Sequence, residues 1–344
     1  MEKEFIKNGT LVIASSANER YALGLAVMLC SVVLNHRGSD IRFYIVDDGI
    51  LPETKELIAG KMHWLASVAG VEVETHYLPF ASIRMPHVPA MQGNYTTYAR
   101  MLLPDLLEES STYYVDADIL CNRAFPSLEE MESLYGGQLI AGCRDDEASL
   151  PKDHVWTEMC GGNVYVNAGF LWMNLKLMRE MKWMSLLDKE NRVMEKLFTT
   201  PFHFHDQTLM NCICAGHISV LPKNFNTMGA SLHSGALLNL DDNWHFTGEM
   251  KPWLDIGCIE HLVVPAYLYQ LMAEKTGLAD RLPAPYLPLS RVEYWMRHVI
   301  AARLWFRSRK RFKRFKMNVK IYQYSKIMAH LYDGRIENLL MKCI

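Results

Sequence analysis

Over the first 120 residues, short apolar runs alternate with stretches of helical periodicity, and no other feature constrains the fold as strongly. TLVIAS (10–15), IRFYIVDD (41–48) and VEVETHYL (71–78) are short and rich in β-branched and aromatic residues, so they read as strands. Residues 21–34 and ETKELIAGKMHWLA (53–66) carry helix patterns between them, and the helical stretch TTYARMLLPDLL (96–107) runs into TYYVDADI (112–119). Strand–helix–strand alternation predicts βαβ units and an α/β fold with a Rossmann-like parallel sheet flanked by helices. Ligands of such sheets bind beyond the carboxyl ends of the strands. Asp47-Asp48 and the pair Asp116/Asp118 fall at those ends.

Further along, NVYVNAGFLWMNL (163–175) reads as a strand followed by a helix, HDQTLMNCICA (205–215) as a helix and HISVLP (217–222) as a strand. The Pro-containing loop 79–95 is long for a compact domain, as binding loops and lids often are. From about residue 278 the pattern turns Pro-rich and then basic, which predicts a main domain over 1–277 and a basic, helical tail region over 278–344. Half of the 344 residues are apolar, enough for a sizeable core without staples. The eight cysteines form no C-x-x-C pair, so reduced, buried thiols in a cytoplasmic protein are expected. The polar start MEKEFIKNGT lacks the apolar core of a signal peptide. The longest apolar run, residues 21–34, is too short to span a bilayer.

Two constellations could carry chemistry. In Asp116-Ala117-Asp118 an extended backbone would point both carboxylates the same way, where they repel unless a cation lies between them. Hard divalent cations favour such oxygen ligands, with substrate phosphates often completing the shell. A solvated turn is the commoner use of two aspartates so spaced. In HFTGEMKPW (245–253), His245, Gly248 and Lys251 lie three apart. A histidine can ligate a Mn²⁺-like ion, a glycine allows close backbone approach and a lysine can neutralise phosphate. On spacing alone, a solvated loop with a packed Trp253 is the better reading of the segment.

Taken together and in order, DAD (116–118), NAGFLWMNL (167–175), HDQTLMN (205–211) and HFTGEMKPW (245–253) resemble the family 8 glycosyltransferases. YTTYARMLLPDLL (95–107) and IRFYIVDDGI (41–50) are similar to segments of that family too, and the resemblance covers roughly residues 10–260. It implies a GT-A fold with a mixed sheet, and retaining transfer of a hexose, galactose or glucose, from a UDP-sugar to a glycan or glycolipid acceptor. Carried over position by position, it makes Asp116, Asp118 and His245 ligands of Mn²⁺, or of Mg²⁺. Gly248 and Lys251 become diphosphate contacts, and Ala14 and Asn18 part of the uracil-reading segment. Arg100 stands beside the donor. Asp145, Asn167 and Ala168 surround the transferred sugar, with Asp206 and Gln207 nearest the chemistry. The chain departs from the family pattern at Asn18-Glu19-Arg20-Tyr21, which carries a short insertion, and at Thr208, where the pattern has an acid.

Residues 301–320, AARLWFRSRKRFKRFKMNVK, hold nine Lys/Arg and no acid, leaving 27 basic against 38 acidic residues elsewhere. Trp305, Phe312, Phe315 and Val319 form one helical stripe. A basic amphipathic helix with aromatic anchors suits an anionic membrane surface better than nucleic acid, so a peripheral place on the inner face of the membrane is expected; a helix packed on the main domain is the plainer alternative. Two other function classes compete with the transferase. A nicotinamide-dependent oxidoreductase lacks its sign, since TLVIASSANERYALGL has no G-x-G-x-x-G. A non-catalytic nucleotide- or glycan-binding relative would not need Asp116, Asp118, His245, Lys251 and Gln207 together.

Overall fold

Ten strands, eight α-helices and three short 3-10 helices lie in the described residues of this computed structural model, which are 8–80, 95–145, 164–182, 205–228, 238–248, 251–254, 263–282 and 327–341. The strands are β1 (Asn8–Ala17), β2 (Ser39–Asp47), β3 (Val73–Pro79), β4 (Thr112–Val115), β5 (Ile119–Leu120), β6 (Ile140–Arg144), β7 (Val166–Met173), β8 (Ile218–Leu221), β9 (Thr227–Met228) and β10 (Trp244–His245). The helices are α1 (Glu19–Asn35), α2 (Pro52–Ala69), α3 (Leu103–Leu106), α4 (Leu128–Tyr135), α5 (Leu175–Glu180), α6 (His205–Ile213), α7 (Val263–Lys275) and α8 over 327–341.

Seven strands form one sheet in the order β3-β2-β1-β4-β7-β6-β8, and β5-β10-β9 form a second, small sheet. Strands β1 to β4 are parallel, as the alternation predicts. Strand β7 runs antiparallel to both β4 and β6, so the sheet is mixed. Beyond β4 the strand and helix signals no longer alternate, and the reason to expect parallel pairing ends with them. The stretch 96–107 is mostly a 3-10 helix, Thr96–Leu102, ending in the single turn of α3. Strand β4 stops at Val115, and the chain leaves the large sheet there.

Side chains alternate across the large sheet, and both faces are covered. Leu11, Ile13, Tyr113, Val115, Phe170 and Trp172 face one core, which α1 fills from Ala22 to Leu34. Ala14, Tyr114, Ala168, Leu171 and Met173 face the other, against Tyr98, Met101, Leu209 and Met210. Helix α8 joins the first core through Tyr332 and Ile336, both fully buried. The Tyr332 ring lies 5.6 Å from that of Trp244, and its hydroxyl donates to Asn122 Oδ1 at 2.6 Å. Arg335 adds contacts to the Asn122 carbonyl and to Asp241. Among the described residues no helix is long and apolar enough to cross a membrane. The basic segment 301–320, most of the loop 79–95 and residues 283–326 of the tail region lie outside the described residues.

Candidate active site

The order of the large sheet reverses direction at β1 and β4, and the site lies at the carboxyl end of β4, where such a crevice opens. Asp116 follows β4 directly, and its N–H donates to the Gly169 carbonyl of β7 at 2.8 Å. The chain then turns, Ile119 N–H donating to Asp116 O at 3.1 Å, and enters β5 in the small sheet. Asp118 sits in this turn, and β10 brings His245 opposite Ile119. The two aspartates therefore share a direction because of a turn between two sheets, not because of the extended backbone the sequence suggested.

Ligand atoms of Asp116, Asp118 and His245 all lie within 4.8 Å of one another. Each carboxylate has one oxygen taken by a cationic side chain. Asp116 Oδ1 accepts from Arg100 Nη2 at 2.9 Å and from the Tyr114 hydroxyl at 2.9 Å. Asp118 Oδ2 is held by Lys251 Nζ, which also donates to the Phe246 carbonyl at 2.7 Å. The other two oxygens turn toward His245 Nε2, Asp118 Oδ1 at 3.2 Å and Asp116 Oδ2 at 4.0 Å. Asp118 Oδ1 is buried and has no well-directed hydrogen bond. Burial alone would push Asp118 up, but the Lys251 ammonium beside it works against burial, and the carboxyl lies below the usual range. A buried, ionised oxygen facing a ring nitrogen with no donor between them fits a bound cation, and two oxygens plus an imidazole suit Mn²⁺ or Mg²⁺.

Glycine at 169 makes this approach possible. A Cβ there would stand 2.9 Å from Asp116 Oδ2 and against the His245 ring. The segment after β10 is shaped in a similar way. Gly248 takes a φ of +83°, open to glycine and little else. Trp253 covers Gly24 of α1 and donates from its indole to the Arg20 carbonyl at 3.1 Å. With Trp253 so fixed, buried Lys251 lies 5.7 Å from the Tyr21 ring centroid and points at Asp118.

A second group of polar residues adjoins the first. Arg100 is buried over the Tyr114 ring and links Asp116 to Asp206, its Nε lying 3.1 Å from Asp206 Oδ2. Thr97 donates to the other Asp206 oxygen, and Arg100 also donates to the Ala168 carbonyl. Burial raises the Asp206 carboxyl against the pull of Arg100 and Thr97. Gln207 is engaged at both ends. Its Oε1 accepts from Asn167 Nδ2 at 2.8 Å and from Ala168 N–H at 3.2 Å, and its Nε2 donates to Asp145 Oδ2 at 2.9 Å.

Of the residues singled out in the sequence, Arg100, Asp116, Asp118, Asp145, Asn167, Ala168, Asp206, Gln207, His245 and Lys251 thus form one connected group, with Gly248 on the adjacent turn. Ala14 stands apart: it is fully buried in the middle of β1, paired on both sides, with its side chain in the second core. The residues that reach the site side lie at the end of β1 and directly after it. Ser16 Oγ contacts the Tyr114 hydroxyl at 2.9 Å, and Asn18 Oδ1 is buried with no partner among the described residues. Tyr21, three residues on, packs edge-on against Trp253. Asn226, Thr97, Tyr114 and Gly169 were not among the candidates the sequence offered; of these only Asn226 lies outside every segment named above.

The chain is similar to known proteins over most of its length. The model of the family described as Glycosyl transferase family 8 matches residues 12–257. A lipopolysaccharide 1,2-glucosyltransferase of Escherichia coli is 25% identical over 267 residues, covering 72% of this chain and 74% of that one. Glycosyltransferase GlyF of Streptococcus pneumoniae serotype 4 is 27% identical over 254 residues, covering 70% of this chain and 56% of the relative. Among solved structures, the galactosyltransferase LgtC, determined in complex with donor and acceptor sugar analogues, shares the fold. It has a TM-score of 0.58 at 22% identity, over 80% of this chain and 97% of that one.

Proposed function

The chain belongs to glycosyl transferase family 8 and is a glycosyltransferase, and from that premise we propose a retaining, metal-dependent hexosyltransferase. Its donor is a UDP-sugar carrying galactose or glucose. Its acceptor is a glycan or a lipid-linked glycan, a reading supported by the name of the Escherichia coli relative. The observation that carries the proposal is the convergence of Asp116, Asp118 and His245 on one point, with Arg100 and Lys251 occupying the outer carboxylate oxygens.

In this reading Asp116, Asp118 and His245 hold Mn²⁺, with Mg²⁺ as the substitute. Such an ion supplies Lewis-acid stabilisation of a diphosphate leaving group. Lys251 adds a fixed positive charge at the same place, and the open turn at Gly248 lets the diphosphate approach the backbone. Asn18, with its unpartnered Oδ1, is the candidate for reading the base, supported by its position directly after β1. Asp145, Asn167 and Ala168 line the sugar side.

The chemistry near the anomeric carbon is assigned to Gln207 with Asp206 behind it. An amide is a poor nucleophile, and both ends of Gln207 are already hydrogen-bonded. Asp206 likewise has both oxygens occupied. This favours electrostatic and positioning help to a front-face substitution over a covalent glycosyl-enzyme. The basic segment 301–320 is proposed to meet an anionic membrane at the inner face of the cell membrane, with no role for nucleic acid.

The test is UDP release from a panel of UDP-sugars, with and without Mn²⁺, with no acceptor added. Slow Mn²⁺-dependent hydrolysis of one donor is expected, lost in Asp118→Asn. A wild-type protein that neither turns over any donor nor is stabilised by UDP and Mn²⁺ together would favour a non-catalytic relative.

A further inference from the structure

A chain of side-chain hydrogen bonds runs from the sugar side of the site to the metal side. Gln207 Nε2 donates to Asp145, and Gln207 Oε1 accepts from Asn167 Nδ2 at 2.8 Å. Asn167 Oδ1 accepts from Asn226 Nδ2 at 2.8 Å, and Asn226 Oδ1 lies 2.9 Å from His245 Nδ1. The orientation of an amide is ordinarily a matter of assignment, but here main-chain groups fix it. Ala168 N–H points at Gln207 Oε1 at 3.2 Å, and Gly169 N–H points at Asn167 Oδ1 at 2.9 Å. A main-chain N–H can only donate, so both atoms must be oxygens. Asn226 must then turn its amino group to Asn167, which leaves its oxygen facing His245. Only a protonated Nδ1 satisfies that oxygen.

We infer that Asn226 is the positioning residue of His245: through this chain it fixes the proton on Nδ1 and presents Nε2 as a free lone pair toward Asp116 and Asp118. The inference rests on the reading of those three residues as ligands of a divalent cation. A ligating histidine needs its second ring nitrogen held by an acceptor, which sets both tautomer and ring direction. Asn226 is fully buried and directly precedes β9, which pairs with the strand carrying His245. The same chain couples Gln207, placed at the sugar, to the ring at the metal. A change at either end can therefore be felt at the other through three hydrogen bonds.

Two measurements test this. The first uses the wild-type protein without metal, at pH 8, labelled with ¹⁵N-histidine. The His245 resonances, identified by their loss in His245→Ala, should show a protonated Nδ1; a bare Nδ1 with a protonated Nε2 would overturn the inference. The second measures Mn²⁺ affinity by electron paramagnetic resonance, with urea denaturation alongside. Asn226→Ala removes the acceptor and should weaken Mn²⁺ binding by ~10–100-fold. Asn226→Asp keeps an acceptor for Nδ1–H but sets an oxygen against Asn167 Oδ1. It should lose at least as much stability as Asn226→Ala while holding Mn²⁺ within about threefold of wild type. Affinities that simply follow stability in both variants would reduce Asn226 to a packing residue and sink the idea. Wild-type protein that binds no Mn²⁺ would remove the metal reading and with it the purpose given to the chain, and the ring spectrum would tell that failure from a wrong tautomer.

Discussion

His36 shows in isolation what a buried imidazole demands of its surroundings. Its Nδ1 lies 2.7 Å from the Val32 carbonyl, and its Nε2 accepts from Phe125 N–H at 2.7 Å. One nitrogen must donate and the other must accept, so the ring is neutral. Burial pushes its pKa down from 6.5 to about 4, against a smaller opposing effect of the Val32 carbonyl. Between those values the unfolded chain binds the proton and the folded chain does not. The stability tied to His36 is therefore fully present above pH 6.5 and is lost as the pH falls toward 4. A shift of this size corresponds to about 3 kcal/mol. His36→Leu cannot titrate, so the stability gap between wild type and variant should close by up to that amount from pH 7.5 to pH 4, measured by urea denaturation. A gap constant across this range would place the acid sensitivity elsewhere.

Between elements, the decisive quantity is how closely β7 and β10 approach at the ligand cluster. Gly169 needs no special backbone angle; what it provides is the missing side chain. Gly169→Ala must move either the His245 ring or the strand, and overpacking of this kind costs about 1–3 kcal/mol. Mn²⁺ affinity should fall at least ~10-fold, because the ligands lose their common point. Titration of the folded variant with Mn²⁺ would decide it, unchanged affinity meaning that the close approach is not set by that missing Cβ. Elements of this kind were unevenly legible in the sequence. Strands β1 to β4 could be read because apolar runs alternate with helical periods there. Strand β6 (Ile140–Arg144) carries a glycine and a cysteine in a five-residue run, too short for periodicity to register. The aspartates and His245 could be read from their motifs. Asn226 could not, because an asparagine in KNFNT looks like any loop residue until its four-membered hydrogen-bond chain is seen in space.

For the molecule as a whole, α8 alters how the basic segment should be probed. Tyr332 and Ile336 are buried in the main core, and Tyr332 and Arg335 hold Asn122 beside the small sheet that carries His245. Truncation before 301 would therefore remove core residues along with the charge. Replacing Lys and Arg with Gln within 301–320 leaves that packing in place. If this segment meets an anionic surface, such a variant should bind phosphatidylserine vesicles at least ~10-fold more weakly at low salt while hydrolysing soluble donor at the wild-type rate. Equal vesicle binding would refute the membrane role.

The joint between the two sheets has one more consequence. A cut within 183–204 would leave both carboxylates, with Arg100 and Gly169, on one fragment. The imidazole, Asn226, Gln207 and Lys251 would fall on the other. Neither piece would own a complete ligand set, so the site behaves as a logical AND: tight metal binding would report that the two halves had met in register, and nothing less.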